Sequence, residues 1–285
     1  AVLLGLKLAF DGWLLGAALG GLALALQMPT HLQMPYYTAV VASVYWVWHI
    51  IPPLRSAARG ERDEWQRVCW LVAAYAMWLA AFVVLAAAVL LPLLELLPYN
   101  SRGNFSLADA NLYALPPFML ITMLVPSNFQ FPEWTMFMGL LPLVLGGIGW
   151  LASRERPWWF FALLAVGALI FAFGTSTPFF ALANALIPGF KMLRVPTRLW
   201  FFGGLGLAVL AGFGADIVGN DATREYLRTR SRWLATVAVV YIAGGLVAWL
   251  GYWIMFRSWH QQMALRLITA ALVFGAGGAW LKGRL

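Results

Sequence analysis

Three cations lie within one short segment, GFKMLRVPTRLWFF, which spans residues 189–202 and continues into aromatic, apolar sequence. They are Lys191, Arg194 and Arg198. Pro196 suits the first turn of a helix, and Arg198 would then lie in that turn. Because the free N–H groups at a helix start attract anions, this segment predicts a site for a negatively charged group such as a lipid phosphate. Alternatively, the cations only reach the headgroup layer of a membrane.

A second set of polar residues follows an apolar run. Glu95 lies within LLPLLELLPYN, and Arg102 follows seven residues later. A carboxylate at membrane depth is costly unless it is paired or faces water. The sequence therefore predicts either a structural ion pair of Glu95 with Arg102 or a role of both in binding a polar ligand. Further on, Ser106 and Asp109 have the spacing of a capping box, which predicts the start of a helix.

The histidines and the cysteine are dispersed. The three histidines are His31, His49 and His260, and the single cysteine is Cys69. No HExxH sequence or closely spaced Cys/His set is present, so we predict neither a metal site nor a cofactor. A lone histidine in a membrane could ligate haem or a pigment, and this alternative stays open.

The composition defines the environment of these side chains. Of the 285 residues, 62% are hydrophobic and 11% are charged. A soluble domain could not cover that much apolar surface. The sequence predicts an all-α fold, a polytopic helical bundle integral to a membrane. The net charge of +8 accompanies no RNA-binding motif or basic stripe, and we therefore exclude nucleic acid as a partner.

About eight runs approach the roughly 20 apolar residues that cross a bilayer as a helix. These predicted transmembrane helices are 12–28, 35–54, 67–92, 134–151, 157–174, 198–218, 233–255 and 264–281. The apolar piece 115–126 is bounded by prolines and too short to cross, which predicts a re-entrant or interfacial segment. We interpret 1–285 as a single transmembrane domain. Because it begins without methionine, we expect it to be a fragment of a longer chain.

The basic residues predict the orientation. Thirteen lysines and arginines fall on one side of the predicted helices and six on the other. The richer side is predicted to be cytoplasmic, because cytoplasmic loops carry an excess of lysine and arginine. The loops on the outer face are then 93–133 and 174–198, and loops held by a rigid scaffold often carry binding sites.

Small residues at every fourth position predict where helices pack closely in lipid. In the sixth predicted helix these positions are Gly204, Ala208, Gly212 and Asp216. In the first predicted helix, Gly16 and Gly20, with Ala17 and Gly21 beside them, form a similar surface.

Several segments in order resemble a known family. They are LALALQMPTHLQMPYYTAV, LLPLLELLPYNSRGNFS, LPPFMLITMLVPSNF, MFMGLLPLVLGGIGW and FGTSTPFFALANALIPGFKMLRVPTRLWFFGGLGLAVLAGFGAD. The series resembles the bacterial YfhO-like membrane proteins, within the GT-C superfamily of polyprenyl-phosphate-dependent glycosyltransferases. The likeness covers residues 13–218. The turn that contains His31 departs from the Gly-His-Pro-Gln form of the family and keeps only His31 and Gln33.

The resemblance implies a glycosyltransferase of the bacterial cytoplasmic membrane that takes a sugar from a polyprenyl phosphate at the outer face. Its partners would be membrane lipids and this sugar donor. The catalytic carboxylate of the superfamily lies in the first outer loop, which we expect to precede this sequence, so no catalytic residue is assigned. The residues that would bind the lipid phosphate or shape the pocket are Lys191, Arg194, Arg198, Glu95 and Arg102.

Two alternatives stay open. The chain could be a non-catalytic membrane subunit of a larger respiratory or photosynthetic complex, with other membrane subunits as partners. The small-residue surfaces and the 16 tryptophans would also suit that role. A lipid or sugar transporter is the other alternative, although the paired broken helices that usually indicate one are not visible in the sequence.

Overall fold

The computed structural model describes residues 1–99, 106–124, 132–152, 156–187 and 189–219. All regular secondary structure in these ranges is helical, which confirms the all-α prediction for the described part of the chain. Arg102, His260 and the predicted helices 233–255 and 264–281 lie outside the described residues.

The chain divides into two compact units. The first unit comprises Ala1–Phe105 and Lys191–Leu193, and the second comprises Ser106–Phe190 and Arg194–Leu285. Lys191 therefore belongs to the first unit, whereas Arg194 and Arg198 belong to the second.

The structure describes four α-helices in the first unit. They are α1 (Val2–Phe10), α2 (Leu15–Ala25), α3 (Gln33–Ala58) and α4 (Arg62–Leu96). The single membrane-crossing helix predicted at 12–28 is not confirmed. The described chain has an α1–α2 hairpin there, which turns at Gly12 with a φ of 109°. With 11 residues, α2 is about 16 Å long, roughly half the thickness of a bilayer's hydrocarbon core.

The glycines of α2 lie where helices approach closely, as predicted. A Cβ atom on Gly16 would lie 2.7 Å from the carbonyl oxygen of Gly5 in α1. A Cβ atom on Gly21 would lie 2.6 Å from the carbonyl oxygen of Trp78 in α4. Since these neighbours are backbone atoms, larger side chains would force the helices apart. The small-residue surface of α2 therefore permits its packing between α1 and α4.

Aromatic and polar contacts join α3 to α4. The rings of Trp46 and Tyr75 stack with centroids 4.5 Å apart. The indole N–H of Trp46 donates to the carbonyl oxygen of Leu71 over 3.0 Å. The hydroxyl groups of Ser43 and Tyr75 are hydrogen-bonded at 2.8 Å. These bonds satisfy polar groups within an otherwise apolar helix pair.

Five described α-helices belong to the second unit. They are α5 (Leu107–Ala110), α6 (Leu140–Ala152), α7 (Arg156–Ala172), α8 (Pro178–Leu186) and α9 (Trp200–Gly219). Helix α9 packs against both α6 and α7. Short 3₁₀ turns occupy Pro117–Met123, Pro132–Trp134 and Pro196–Leu199. The first of these lies in the predicted interfacial piece 115–126, and its seven residues are too few to cross a membrane.

The packed surface of α9 differs from the predicted one. Its buried residues include Gly206, Leu210 and Gly214. A Cβ atom on Gly214 would clash with the carbonyl oxygen of Leu145 in α6. By contrast, a Cβ atom on Gly212 would meet no atom of the described chain within 4 Å. The prediction that Gly204, Ala208, Gly212 and Asp216 form the closely packed surface is therefore wrong for the described part of α9.

Two helical segments in the described part of the chain are long and apolar enough to cross a membrane. They are Arg62–Leu96, which is α4, and Pro196–Gly219, which contains α9. The segments Leu15–Ala25, Leu140–Trp150 and Trp158–Ala172 are apolar but shorter. Helix α3 is long enough with 26 residues, but its tyrosines, tryptophans, histidine and prolines lower its hydropathy.

Candidate functional site

Two pairs of charged side chains involve the segment before α9: Arg198 pairs with Glu133, and Arg194 interacts electrostatically with Asp109. We call the set Asp109, Tyr113, Glu133, Arg194 and Arg198 the arginine site. It is built from α5 and the turn that follows it, the 3₁₀ turn Pro132–Trp134, and the segment directly before α9. All five residues belong to the second unit.

Arg198 forms an ion pair with Glu133. Its Nε and Nη2 atoms both donate to Oε1 of Glu133, at 3.3 and 3.0 Å. The side chains are 26% and 28% exposed. Pro196 begins the 3₁₀ turn that contains Arg198, as the sequence predicted, and this turn leads directly into α9. The proline fixes the backbone at the position where it can do so without losing a hydrogen bond.

Glu133 is not among the residues predicted from the sequence, although a signal was present. Between Arg102 and Arg154 only Asp109 and Glu133 are charged. Both belong to the arginine site. An isolated carboxylate in a long uncharged stretch is costly without a partner. That cost could have directed attention to Glu133, but not to the cation with which it pairs.

The backbone carbonyl of Tyr113 joins the segments of the site. It accepts a hydrogen bond from Oγ1 of Thr197 at 2.7 Å and one from Nε1 of Trp134 at 3.2 Å. The Thr197 side chain is almost fully buried, with 1% exposed. One carbonyl oxygen thus connects the turn after α5, the Pro132–Trp134 turn and the start of α9. These bonds fix the backbone beside Arg198 and Glu133.

Two residues of this region have left-handed backbone conformations. In the described part of the chain, the non-glycine residues with positive φ are Tyr113 at 59° and Val195 at 58°. For Val195 this conformation is unusual because its side chain is β-branched. Such strain costs about 1–3 kcal/mol per residue and tends to occur at functional sites. Buried Val195 accepts the backbone N–H of Arg198 at 3.1 Å, so its geometry helps to place that arginine.

Asp109 acts as a helix cap. The backbone N–H and the hydroxyl of Ser106 both donate to Oδ2 of Asp109, and the N–H of Asp109 donates to Oγ of Ser106. The predicted capping box is therefore confirmed. The bonds from Ser106 lower the pKa of the Asp109 carboxyl group below its usual value, and the positive charge of Arg194 lowers it further.

The other predicted site residues that the structure describes belong to the first unit. Glu95 is exposed near the end of α4 in the first unit. Lys191 is exposed in the 3₁₀ turn Phe190–Met192, and it also belongs to the first unit. The pairing of Glu95 with Arg102 stays a prediction, since Arg102 is not described. The arginine site therefore contains two of the three predicted cations, together with two carboxylates.

The described histidines make local hydrogen bonds. Nδ1 of His31 accepts the N–H of Gln33 at 3.3 Å, and Nδ1 of His49 lies 2.9 Å from the carbonyl oxygen of Tyr45. His49 also contacts the ring of Phe10, with centroids 5.1 Å apart. Among the residues that the structure describes, no three His, Cys, Asp or Glu side chains are grouped so that they could hold a metal ion.

Comparison with known proteins yields no match to a family model, to a curated protein or to a solved structure. Functional inference therefore depends on the chemistry of the arginine site and on the sequence motifs. A guanidinium group only donates hydrogen bonds and a carboxylate only accepts them. The arginine site can accordingly bind anionic groups and hydroxyl groups.

Proposed function

We propose that the chain is a multi-pass protein of the bacterial cytoplasmic membrane and a GT-C-like glycosyltransferase that uses a polyprenyl-phosphate-linked sugar at the outer face. The arginine site would bind the phosphate of this donor. The ordered series of sequence motifs over residues 13–218 supports the glycosyltransferase assignment, and the features below support the membrane and the ligand.

The apolar surface of α4 supports the membrane assignment. Side chains in the middle and at the end of this helix are widely exposed, among them Val84 at 71% and Leu91 at 62%. The segment 68–94 contains no charged residue, and its 27 residues would extend about 40 Å as a helix. Exposed apolar surface of this extent is typical of contact with lipid or with another protein.

One observation carries the ligand assignment: Arg194 and Arg198, the second of them held by its ion pair with Glu133, lie just before an apolar helix of 20 residues, α9. Directly after Arg198 the sequence continues with Leu199, Trp200 and two phenylalanines. A lipid phosphate matches this order of cations followed by an apolar helix. Its charged group must stay at the membrane boundary, while its hydrocarbon chain enters the apolar region. Arginine suits such a group because its planar fork can form two parallel bonds to phosphate oxygens.

The same groups would assist sugar transfer electrostatically. When the bond between sugar and phosphate breaks, negative charge grows on the departing phosphate. Cations already held in position stabilise that charge without having to reorganise, and such stabilisation is often the largest contribution to catalysis. The hydrogen bond from Thr197 to the Tyr113 carbonyl would hold the backbone that carries Arg198 in place for this role.

Binding measurements on the purified full chain test the proposal. We expect the double variant Arg194→Gln/Arg198→Gln, in nanodiscs of zwitterionic lipid, to bind a polyprenyl-phosphate sugar at least about tenfold more weakly, because two charge-assisted interactions are lost. Arg59→Gln is the matched control, since Arg59 is an exposed arginine at the end of α3. Equal affinity of the double variant and the wild-type protein would reject this site.

A further inference from the structure

Glu133 already uses the side of Arg198 that would suit a phosphate group. A guanidinium group can present Nε and Nη2 together as a two-donor edge. In the arginine site both atoms of this edge donate to the same oxygen, Oε1 of Glu133. A second anion therefore cannot form two bonds to this edge while the carboxylate remains in place.

Building on the proposed function, we propose that Glu133 is a specificity-determining residue of the arginine site. Its carboxylate occupies the position of the ligand's anionic group, and a phosphate group must displace it to bind Arg198 through Nε and Nη2 together. Glu133 thus acts as a tethered competitor. Ligands that offer only neutral hydroxyl groups would not displace it, because a hydroxyl oxygen carries no charge and binds the guanidinium more weakly than a carboxylate does.

The partial exposure of the Arg198–Glu133 pair allows the Glu133 carboxylate to be displaced. Arg198 and Glu133 are 26% and 28% exposed, so solvent and a ligand can reach both side chains. A pair with this exposure is only moderately stable, because water competes for both charges. A fully buried pair would leave an uncompensated charge when opened and would resist opening. The carboxylate can therefore move into water when a phosphate group takes its place.

The backbone around the pair would remain in position during such an exchange. Thr197 and Trp134, which flank the two charged residues in sequence, are both bonded to the Tyr113 carbonyl. Neither bond involves the carboxylate of Glu133 or the guanidinium of Arg198. The Glu133 side chain has to change its rotamer, while the backbone that carries Arg198 keeps its hydrogen bond to the Tyr113 carbonyl through Thr197.

Glu133→Gln tests the inference, because glutamine keeps the size and one acceptor oxygen of the side chain but removes its charge. Calorimetric titration of the purified full chain with farnesyl phosphate, a short polyprenyl phosphate, should show roughly two- to tenfold tighter binding for E133Q than for the wild-type protein. Glu61→Gln, at an exposed glutamate before α4, should leave the affinity unchanged. Matching circular dichroism spectra would establish that E133Q is folded, and the shorter Glu133→Asp should also bind more tightly.

The outcomes separate this inference from the proposed function. If the wild-type protein binds farnesyl phosphate and R198Q loses binding, but E133Q binds equally or more weakly, the competitor role is wrong and Glu133 instead supports the ligand. If neither the wild-type protein nor E133Q binds the probe, the proposed lipid-phosphate site is itself rejected. Titration with inorganic phosphate distinguishes the source of the phosphate group. If E133Q binds farnesyl phosphate more tightly than the wild-type protein does, but binds inorganic phosphate with the same affinity, the ligand is a lipid.

Discussion

Single polar side chains hold the irregular segments of the second unit together. The hydroxyl of Thr122 is the most enclosed example, with none of the residue's surface exposed. It donates to the carbonyl oxygen of Trp134 at 3.1 Å and accepts the N–H of Met136 at 3.0 Å. One hydroxyl therefore satisfies two backbone groups next to the turn that carries Glu133.

Replacement of this hydroxyl should be costly. Thr122→Val keeps the shape of the side chain but leaves a backbone N–H and a carbonyl without their partner. We expect the free energy of unfolding to fall by about 1–3 kcal/mol. Thermal unfolding of the detergent-solubilised chain measures the loss. The control Thr175→Val, at an exposed threonine, should change stability by less than about 0.5 kcal/mol.

The capping box of α5 should weaken in acid. Because the folded-state pKa of Asp109 is lowered, the carboxylate stabilises the folded form above its unfolded pKa, and this contribution disappears as the pH falls through the folded value. Protection of the Ala110 and Asn111 amides from hydrogen exchange should therefore be greater near pH 7 than well below pH 4. In Asp109→Asn this difference should vanish. An equal pH dependence in both proteins would contradict the role of the carboxylate.

Residue-scale prediction from sequence succeeded where the interaction is local. The capping box joins Ser106 to a residue three positions away, so spacing alone identifies it. The partner of Arg198 lies 65 residues earlier in the chain, and no spacing rule connects the two. The left-handed conformation of Val195 was equally invisible, because a β-branched residue gives no local signal for positive φ. Both features depend on how distant segments fold together.

At the scale of elements, close contact between α6 and α9 depends on two glycines. A Cβ atom on Gly149 would clash with the carbonyl oxygen of Leu210, and Gly214 approaches the backbone of α6 in the same way. In the membrane that we propose for this chain, hydrophobicity would not hold these helices together, since the lipid chains are equally apolar. Their association would then require close packing of this kind.

A pair of variants within one turn of α9 tests this contact. Gly214→Ala should lower the free energy of unfolding by about 1–3 kcal/mol, because the new methyl group meets a backbone atom that cannot move alone. In Gly212→Ala the added methyl group would meet no atom of the described chain within 4 Å. This variant should be neutral or stabilising by up to about 1 kcal/mol, because alanine favours helix. Thermal unfolding compares the two, and equal losses would contradict the observed packing surface.

The sequence identified α9 as a helix but not the surface by which it packs. Its residues are apolar on all sides, so the pattern does not distinguish a lipid-facing side from a protein-facing one. Small residues occur on more than one side, including Gly204 and Gly212 as well as Gly206 and Gly214. In α2, by contrast, Gly16, Gly20 and Gly21 lie close together in sequence, and the prediction for them is confirmed.

At the scale of the whole molecule, the composition predicted an all-helical fold. The uninterrupted apolar sequence, however, concealed where individual helices begin and end. The α1–α2 turn lies within an apolar stretch and is marked by little more than Asp11 and Gly12. The long helix α4 was easier to predict, because charged residues precede it and no charge interrupts the segment 68–94. The arrangement of eight spans stays a prediction, and its orientation depends on the bias of basic residues.

Accessibility at the two ends of α4 would test that orientation. With 35 residues, α4 is about 52 Å long and could cross the roughly 30 Å hydrocarbon core with residues to spare. In a Cys69→Ala background, a membrane-impermeant maleimide added to intact cells should label Tyr99→Cys, which replaces a residue that is 88% exposed. Glu61→Cys, just before α4, should be labelled only after the membrane is permeabilised. The reverse pattern of labelling would mean that the orientation is opposite to the predicted one. The loops 93–133 and 174–198, which carry the arginine site, would then lie in the cytoplasm. Labelling of both cysteines in intact cells would show that α4 does not cross the membrane.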